Sequence, residues 1–230
     1  MTNMNFNFIP RLLPYFTDGI LITIAISIIV VFFGLVIGTF MALMKLSKSK
    51  VLNIIANIYV EVLRGTPMLV QILIGYTIIT IHAPIFQVGI LDVDLSRLIP
   101  GLIVLSMNSG AYVAEIVRGG INSIGQGQME AAHSLGLRPA QAMRYVILPQ
   151  AIRNILPALG NEFITVIKDS SLLTTIGIME LWNGALTVST ITFQPLSPLL
   201  IAAVMYFVLT FLTSRLLAVY EKKISKAYKK

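Results

Sequence analysis

From Gly19 to Met44 the chain runs 26 residues without a charged side chain. A helix needs about 20 predominantly apolar residues to cross the hydrocarbon core of a bilayer. This one stretch therefore commits the chain to lipid as its solvent. The composition agrees: 56% of residues are hydrophobic, 12% are charged and the mean hydropathy is +0.85, whereas a soluble domain carries about 25% charged residues. With runs of this length along the chain, the expected fold is all-α with five transmembrane helices. Their approximate ranges are 19–44, 51–81, 98–118, 155–179 and 197–219, in a single transmembrane domain spanning 1–230. Gly34 and Gly38 form a G-x-x-x-G pair in the first crossing, a pattern that lets a neighbouring helix approach closely.

The later crossings are interrupted. The second carries Glu61 and Arg64, and then Gly65 and Pro67 break its backbone hydrogen bonding. Such a break is tolerated at membrane depth only against protein or a water-filled cavity. The segment His82 to Arg97 reads as a loop. The third crossing carries Asn108 and Ser109 near its middle, and Glu115 and Arg118 stand three apart, on one helix face. The fourth is the most polar, with Asn161, Glu162, Thr165, Lys168 and Asp169. Ionisable groups at that depth cost about 2.5–3.5 kcal/mol each on insertion scales and mark a pathway. Glu162, Thr165 and Asp169 share a face, and Asn161, Thr165 and Lys168 an adjacent one. Trp182 suits an interfacial anchor, and Asn183 to Gln194 reads as a polar loop.

Thirteen of the seventeen Lys and Arg residues fall on one side if the N-terminus lies outside. Arg11 and Arg97 fall on the other, while Arg64 and Lys168 lie within spans. The positive-inside rule then puts the N-terminus out and the C-terminus in the cytoplasm. It also puts the polar segment 128–150, between the third and fourth crossings, in the cytoplasm. Glu130 to Leu135 reads there as a short helix. Gly136 suits a left-handed stop, and Pro139 the first turn of a second helix.

Glu130-Ala131-Ala132, then Gly136, then Val146-Ile147-Leu148-Pro149 resembles the cytoplasmic EAA signature of ABC importer permeases. Val146 is a mild departure from the isoleucine frequent there. Glu61-Val62-Leu63-Arg64-Gly65-Thr66-Pro67, Ala114-Glu115-Ile116-Val117-Arg118-Gly119-Gly120-Ile121 and Lys168-Asp169-Ser170-Ser171-Leu172 resemble the polar amino-acid branch, the arginine, histidine and glutamine type. The resemblance covers roughly Asn57 to Leu173. It implies that Glu130, Ala131, Ala132, Ser134, Leu135 and Gly136 couple the chain to a cytoplasmic ATPase. It further implies an ATPase dimer that uses ATP and magnesium, a second permease subunit, whether a copy or a sister chain, and an extracytoplasmic substrate-binding protein. The expected location is the bacterial inner membrane, and the transport cycle is one of alternating access.

For the cargo, side-chain chemistry is the guide. An amino acid's ammonium calls for a carboxylate or carbonyls, and its carboxylate for amides, hydroxyls or a cation. Glu162 is the candidate carboxylate for a positive group, which leans the substrate toward basic amino acids. Thr66, Asn108, Ser109, Asn161 and Arg64 are the candidates to complete the site. The competing reading is that Glu162, Lys168, Asp169, Glu61 and Arg64 neutralise one another and fix helix register.

The chain has no cysteine and only two histidines, His82 and His133, so thiol chemistry and a histidine metal motif are excluded. It has no Gly-x-x-x-x-Gly-Lys-Ser/Thr phosphate loop, so it is expected to be no enzyme and to hold no cofactor of its own. The basic charge follows membrane topology, which argues against nucleic acid as a partner. An ion-coupled carrier or channel is the alternative function. An intramembrane enzyme lacks a nucleophile or metal set to join its acids.

Overall fold

The structure is a computed structural model that describes residues 6–227, with side chains to residue 222. The uncharged run lies inside a longer helix, α1 (Ile9–Leu46). Lipid-facing side chains such as Leu21, Ile28, Phe32, Val36, Phe40 and Leu43 are all more than half exposed. The opposite face carries Ile22, Ile26, Val30, Gly34, Gly38 and Ala42, all buried, at the spacing of one helical stripe. That stripe packs along α4 (Leu95–Asn122). The glycine pair sets the approach: a Cβ on Gly34 would lie 2.8 Å from Ser109 Oγ, and one on Gly38 would lie 2.6 Å from the Gly110 carbonyl oxygen.

The second expected crossing is two helices, α2 (Lys50–Gly65) and α3 (Met68–Ile78), bent by 110° at the Thr66–Pro67 break. Proline supplies no backbone N–H there, and it pushes the preceding Thr66 into an extended conformation, φ −117° and ψ 148°. The segment read as a loop, 82–97, instead contains an antiparallel hairpin of β1 (Ile85–Val88) and β2 (Leu91–Asp94). Leu91 and Val93 alternate into the core, and Asp18 on α1 accepts from the Ile90 amide at 2.9 Å.

After α4 come α5 (Gln126–Ser134) and α6 (Pro139–Ala142). A π-helical turn at Met143–Ile147 leads into α7 (Leu148–Asp169). A 3₁₀ turn at Ser170–Ile176 then ends on Gly177, whose φ is +81°. The expected loop at Asn183 to Gln194 is corrected to a helix, α8 (Leu181–Thr192). Its Leu181, Ala185 and Val188 are fully buried against α1 and α9 (Ser197–Ala227). The uncharged polar residues that suggested a loop alternate with that apolar stripe.

Among the described residues, three helical stretches are long and apolar enough to cross a membrane: Ile9–Leu46, Leu95–Asn122 and Ser197–Lys222. The bent α2–α3 pair passes the same test if it is taken as one span. Helix α7 is not among them, because Gln150, Arg153, Asn154, Asn161, Glu162, Lys168 and Asp169 keep its hydropathy low.

Candidate functional site

Two helices and the bend enclose a cavity of about 230 Å³. From α4 come Leu105, Asn108, Ser109 and Tyr112; from α7 come Glu162, Thr165, Val166 and Asp169; Thr66 and Met68 close it from the bend. The polar face of α7 is the one turned inward. Glu162 is only 8% exposed, and Ser109 Oγ donates to its Oε1 at 2.8 Å. Among the described residues no cation lies within ion-pair distance of Glu162. Asp169 stands two helical turns further along the same wall.

The sequence-derived candidates divide. Thr66, Asn108, Ser109 and Glu162 line the cavity together. Asn161 does not line it: one residue before Glu162, it is turned by about 100° to the exposed side, and its carbonyl accepts from Thr165 Oγ1 at 3.1 Å. Nor does Arg64, whose guanidinium lies over the Tyr112 ring, 5.1 Å from its centroid. Among the described residues no ion pair joins Glu61 to Arg64, or Lys168 to Asp169.

Asn108 has a second task. Its Nδ2 donates to the Leu63 carbonyl at 3.0 Å and to Gln71 Oε1 at 2.9 Å. The Gln71 amide nitrogen in turn donates to the carbonyl oxygens of Leu63 and Thr66, at 2.8 and 3.1 Å, and to Thr66 Oγ1 at 2.7 Å. These bonds satisfy carbonyls that the break at Pro67 leaves without helical partners. Gln71 escaped the sequence reading. Its signal was a lone amide in the apolar run after a Gly-x-Pro break. Tyr112 was missed as well, because it sits where a lipid-facing aromatic would read the same.

At the other end of α7, helix α5 stops as its sequence requires. Gly136 has φ +80°, its N–H reaches the His133 carbonyl at 2.9 Å, and Leu137 N–H reaches the Ala132 carbonyl at 3.1 Å. That is the paired closure of a Schellman motif. Pro139 opens α6, and Pro149 lies in the first turn of α7. Glu130, Ala131, Ser134, Leu135 and Gly136 are exposed, with Leu135 at 83%. Ala132 is the exception at 2%. The flat face expected of the two alanines therefore serves two surfaces. Ala132 lets α5 settle on the chain's own π-helical turn, and only Ala131 faces outward. Nearby, Glu115 accepts from Arg118 at 2.7 Å and pairs with Lys45, which ties the ends of α1 and α4 together.

Residues 34–226 match the family described as binding-protein-dependent transport system inner membrane component. The chain belongs to that family. A putative glutamine transport system permease protein, GlnP, of Rickettsia typhi is 42% identical to this inner membrane component over 217 residues, covering 94% of this chain and 95% of its own. The arginine transport system permease protein ArtQ of Bacillus subtilis is 35% identical over 222 residues, covering 96% and 98%. A crystal structure of an amino acid ABC transporter with histidines superposes with a TM-score of 0.84 at 40% identity, covering 96% of this chain and 100% of that one. An inward-facing methionine ABC transporter, MetNI, shares the fold with a TM-score of 0.74 at 18% identity.

Proposed function

We propose that this permease is the membrane subunit of an ATP-driven importer of polar amino acids, with a preference for basic ones. The observation that carries the cargo is the unmatched charge of the cavity. Glu162 and Asp169 face a space with no cation paired to Glu162 among the described residues. An amino acid with a cationic side chain brings the missing positive charge, and the hydroxyls of Ser109, Thr66 and Thr165 can bind its polar atoms. Arg64, over Tyr112 at the cavity's edge, supplies a cation for the substrate carboxylate.

Five crossings serve this role: α1, the bent α2–α3 pair, α4, α7 and α9, forming one transmembrane domain. Helix α7, at 1.5 Å per residue, is about 33 Å long and reaches across a core of about 30 Å. Its polar face is tolerable there because it lines the cavity. Lys and Arg density favours an outer N-terminus, with α5 and α6 and the C-terminus in the cytoplasm of a bacterial inner membrane. The exposed Leu135, beside a rigid glycine-closed helix end, suits docking into a groove of a cytoplasmic ATPase. That partner supplies the ATP and magnesium chemistry. A second permease chain completes the path, and an extracytoplasmic binding protein delivers the substrate. Closure of the ATPase pair drives alternating access by pushing α5–α6 and, through the π-helical turn, α7.

Substitution of Glu162 by glutamine tests the cargo. It keeps the shape and a bond to Ser109 but removes the charge. In proteoliposomes holding the whole complex, arginine uptake should fall about tenfold or more and glutamine uptake less than about threefold, the scale of one lost charge-assisted bond. Equal losses for both would assign Glu162 a structural role.

A further inference from the structure

Beyond the cavity, a second carboxylate is enclosed completely. Glu180 has no exposed surface. It caps the start of α8: its Oε1 accepts from the Asn183 amide at 2.8 Å and from Thr174 Oγ1 at 2.8 Å. Its Oε2 accepts from the Tyr206 hydroxyl at 2.6 Å and from Thr23 Oγ1 at 3.5 Å. Thr23 accepts in its turn from the Leu181 amide at 3.3 Å, leaving its own proton for Glu180. Among the described residues four donors surround the group, the pattern of an acceptor-only carboxylate with its sites filled.

The donors come from four places: α1, the 3₁₀ turn, the first turn of α8, and α9. An apolar side chain of similar size would fill the volume at lower desolvation cost. The carboxylate does what an apolar group cannot, because it sets a direction for each of its four neighbours. The turn it grips begins at the residue after Asp169. Ser170 there is fully buried, bonds the Ile167 carbonyl at 2.8 Å, and faces the Tyr206 hydroxyl. The Tyr206 hydroxyl, held by Glu180, therefore stands beside the turn that ends α7.

We infer that Glu180 is a positioning residue for the cavity. By gripping the 3₁₀ turn between α1, α8 and α9, it fixes where Asp169 and Glu162 stand relative to Ser109. It touches no substrate. The inference rests on the cavity being the amino-acid site.

In Glu180→Gln the amide oxygen is drawn to Asn183 N–H, which can only donate. The NH₂ group then falls on the Tyr206 and Thr23 side, and the link to α9 weakens. Tyr206→Phe removes the same link from the other partner. Binding of radiolabelled arginine and glutamine to the purified whole complex reads both changes. Each substitution should weaken arginine binding about tenfold and lower the arginine-over-glutamine preference about fivefold, as one lost buried bond allows. The double variant should bind arginine within about twofold of the weaker single, since both changes cut one link.

Arginine affinity within twofold of wild type in both singles would overturn the inference. So would losses that multiply in the double variant, or arginine and glutamine weakened alike, which marks general loosening. If Glu180→Gln does not assemble, Tyr206→Phe decides by the same criteria. Glu162→Gln run alongside separates the two readings. Arginine binding unchanged in that variant removes the cavity as the site, whereas binding lost there but kept in Glu180→Gln and Tyr206→Phe removes only the role of Glu180.

Discussion

The two ends of α7 are built by opposite means. Before it, the segment from α5 to the π-helical turn is held mainly by bonds that reach three to five residues. Ser134 Oγ bonds the Glu130 carbonyl, Leu137 N–H the Ala132 carbonyl, and Arg138 N–H the Gln141 side chain. Among the described residues, longer bonds come from the start of α7, where Gln150 reaches Gln128 at 3.2 Å and Asn154 reaches Ser123 at 2.8 Å. Beyond α7, Glu180 bonds Tyr206 across 26 residues and Thr23 across 157, and within the C-terminal half of α7 itself Glu162 accepts from Ser109 across 53. A locally closed unit keeps its shape when it moves, so it can carry force. An end knit from four elements cannot change alone. Damage to the first should therefore spare the fold, and damage to the second should not.

The largest expected effect is at Gly136. Proline fixes φ near −65°, against the observed +80°, and removes the N–H that closes on His133. No side chain packs near the site, since a Cβ there would meet nothing within 4 Å. Gly136→Pro should cut uptake on the order of 100-fold, corresponding to a backbone penalty of about 3 kcal/mol. The melting temperature of the inserted protein should stay within a few degrees. A melting temperature that falls along with uptake would erase the contrast between the two ends.

Asn108 tests the other kind of construction at smaller amplitude. Asn108→Leu fills the same space but leaves Gln71 Oε1 without its donor and removes one of two bonds to the Leu63 carbonyl. A fully buried unsatisfied group costs about 1–3 kcal/mol, and the half-buried Gln71 should fall at the low end of that range. Thermal stability and arginine uptake should therefore drop together. Uptake lost at unchanged stability would mean that Asn108 acts on substrate alone and that the bend holds without it.

Legibility in the sequence follows the same division. The glycine stop at Gly136, the proline starts, the Gly34–Gly38 approach and the break at Pro67 were all readable, because each is a local backbone constraint carried by one or two residues. The inward face of α7 was readable as well, since helical spacing alone brings Glu162, Thr165 and Asp169 together. Gln71, Tyr112 and Glu180 were not. Their roles depend on which distant element packs against them, and nothing in their neighbours' spacing encodes that. The hairpin and α8 were missed for a related reason. Short elements with mixed polarity acquire their buried face from distant partners, the hairpin from α1 and α4 and α8 from α1, α9 and the 3₁₀ turn. Ala132 shows the limit most plainly: two adjacent alanines are alike in sequence, and only packing tells which faces outward.

The smallest expected effect asks whether distance along the chain, or merely the end of the molecule, decides the outcome. Asp94 ends the hairpin strand β2 just before α4, yet its side-chain bonds are local. Its Oδ1 accepts from the Ser96 amide at 2.9 Å and from the Ser96 hydroxyl, and its Oδ2 pairs with Arg97 at 3.1 Å. The Ser96 hydroxyl, with the Ser96 amide and Arg97, holds this carboxyl below the usual carboxylate range. A depressed carboxyl stabilises the fold above its unfolded pKa, and that contribution fades as the pH falls through the lower folded value. Asp94→Ala should cost about 1 kcal/mol at neutral pH, the usual worth of a helix N-cap. Asn caps about as well as Asp, and the half-exposed pair with Arg97 adds little, so Asp94→Asn should cost less than about 0.5 kcal/mol. The gap between wild type and Asp94→Ala, read by thermal melting, should stay constant from pH 7 to about pH 5 and shrink only below about pH 4. Arginine uptake should remain near wild type in both variants. If Asp94→Asn instead disabled uptake as Glu180→Gln is expected to weaken binding, then position at this end of the molecule, and not the reach of the bonds, would govern how α7 is held.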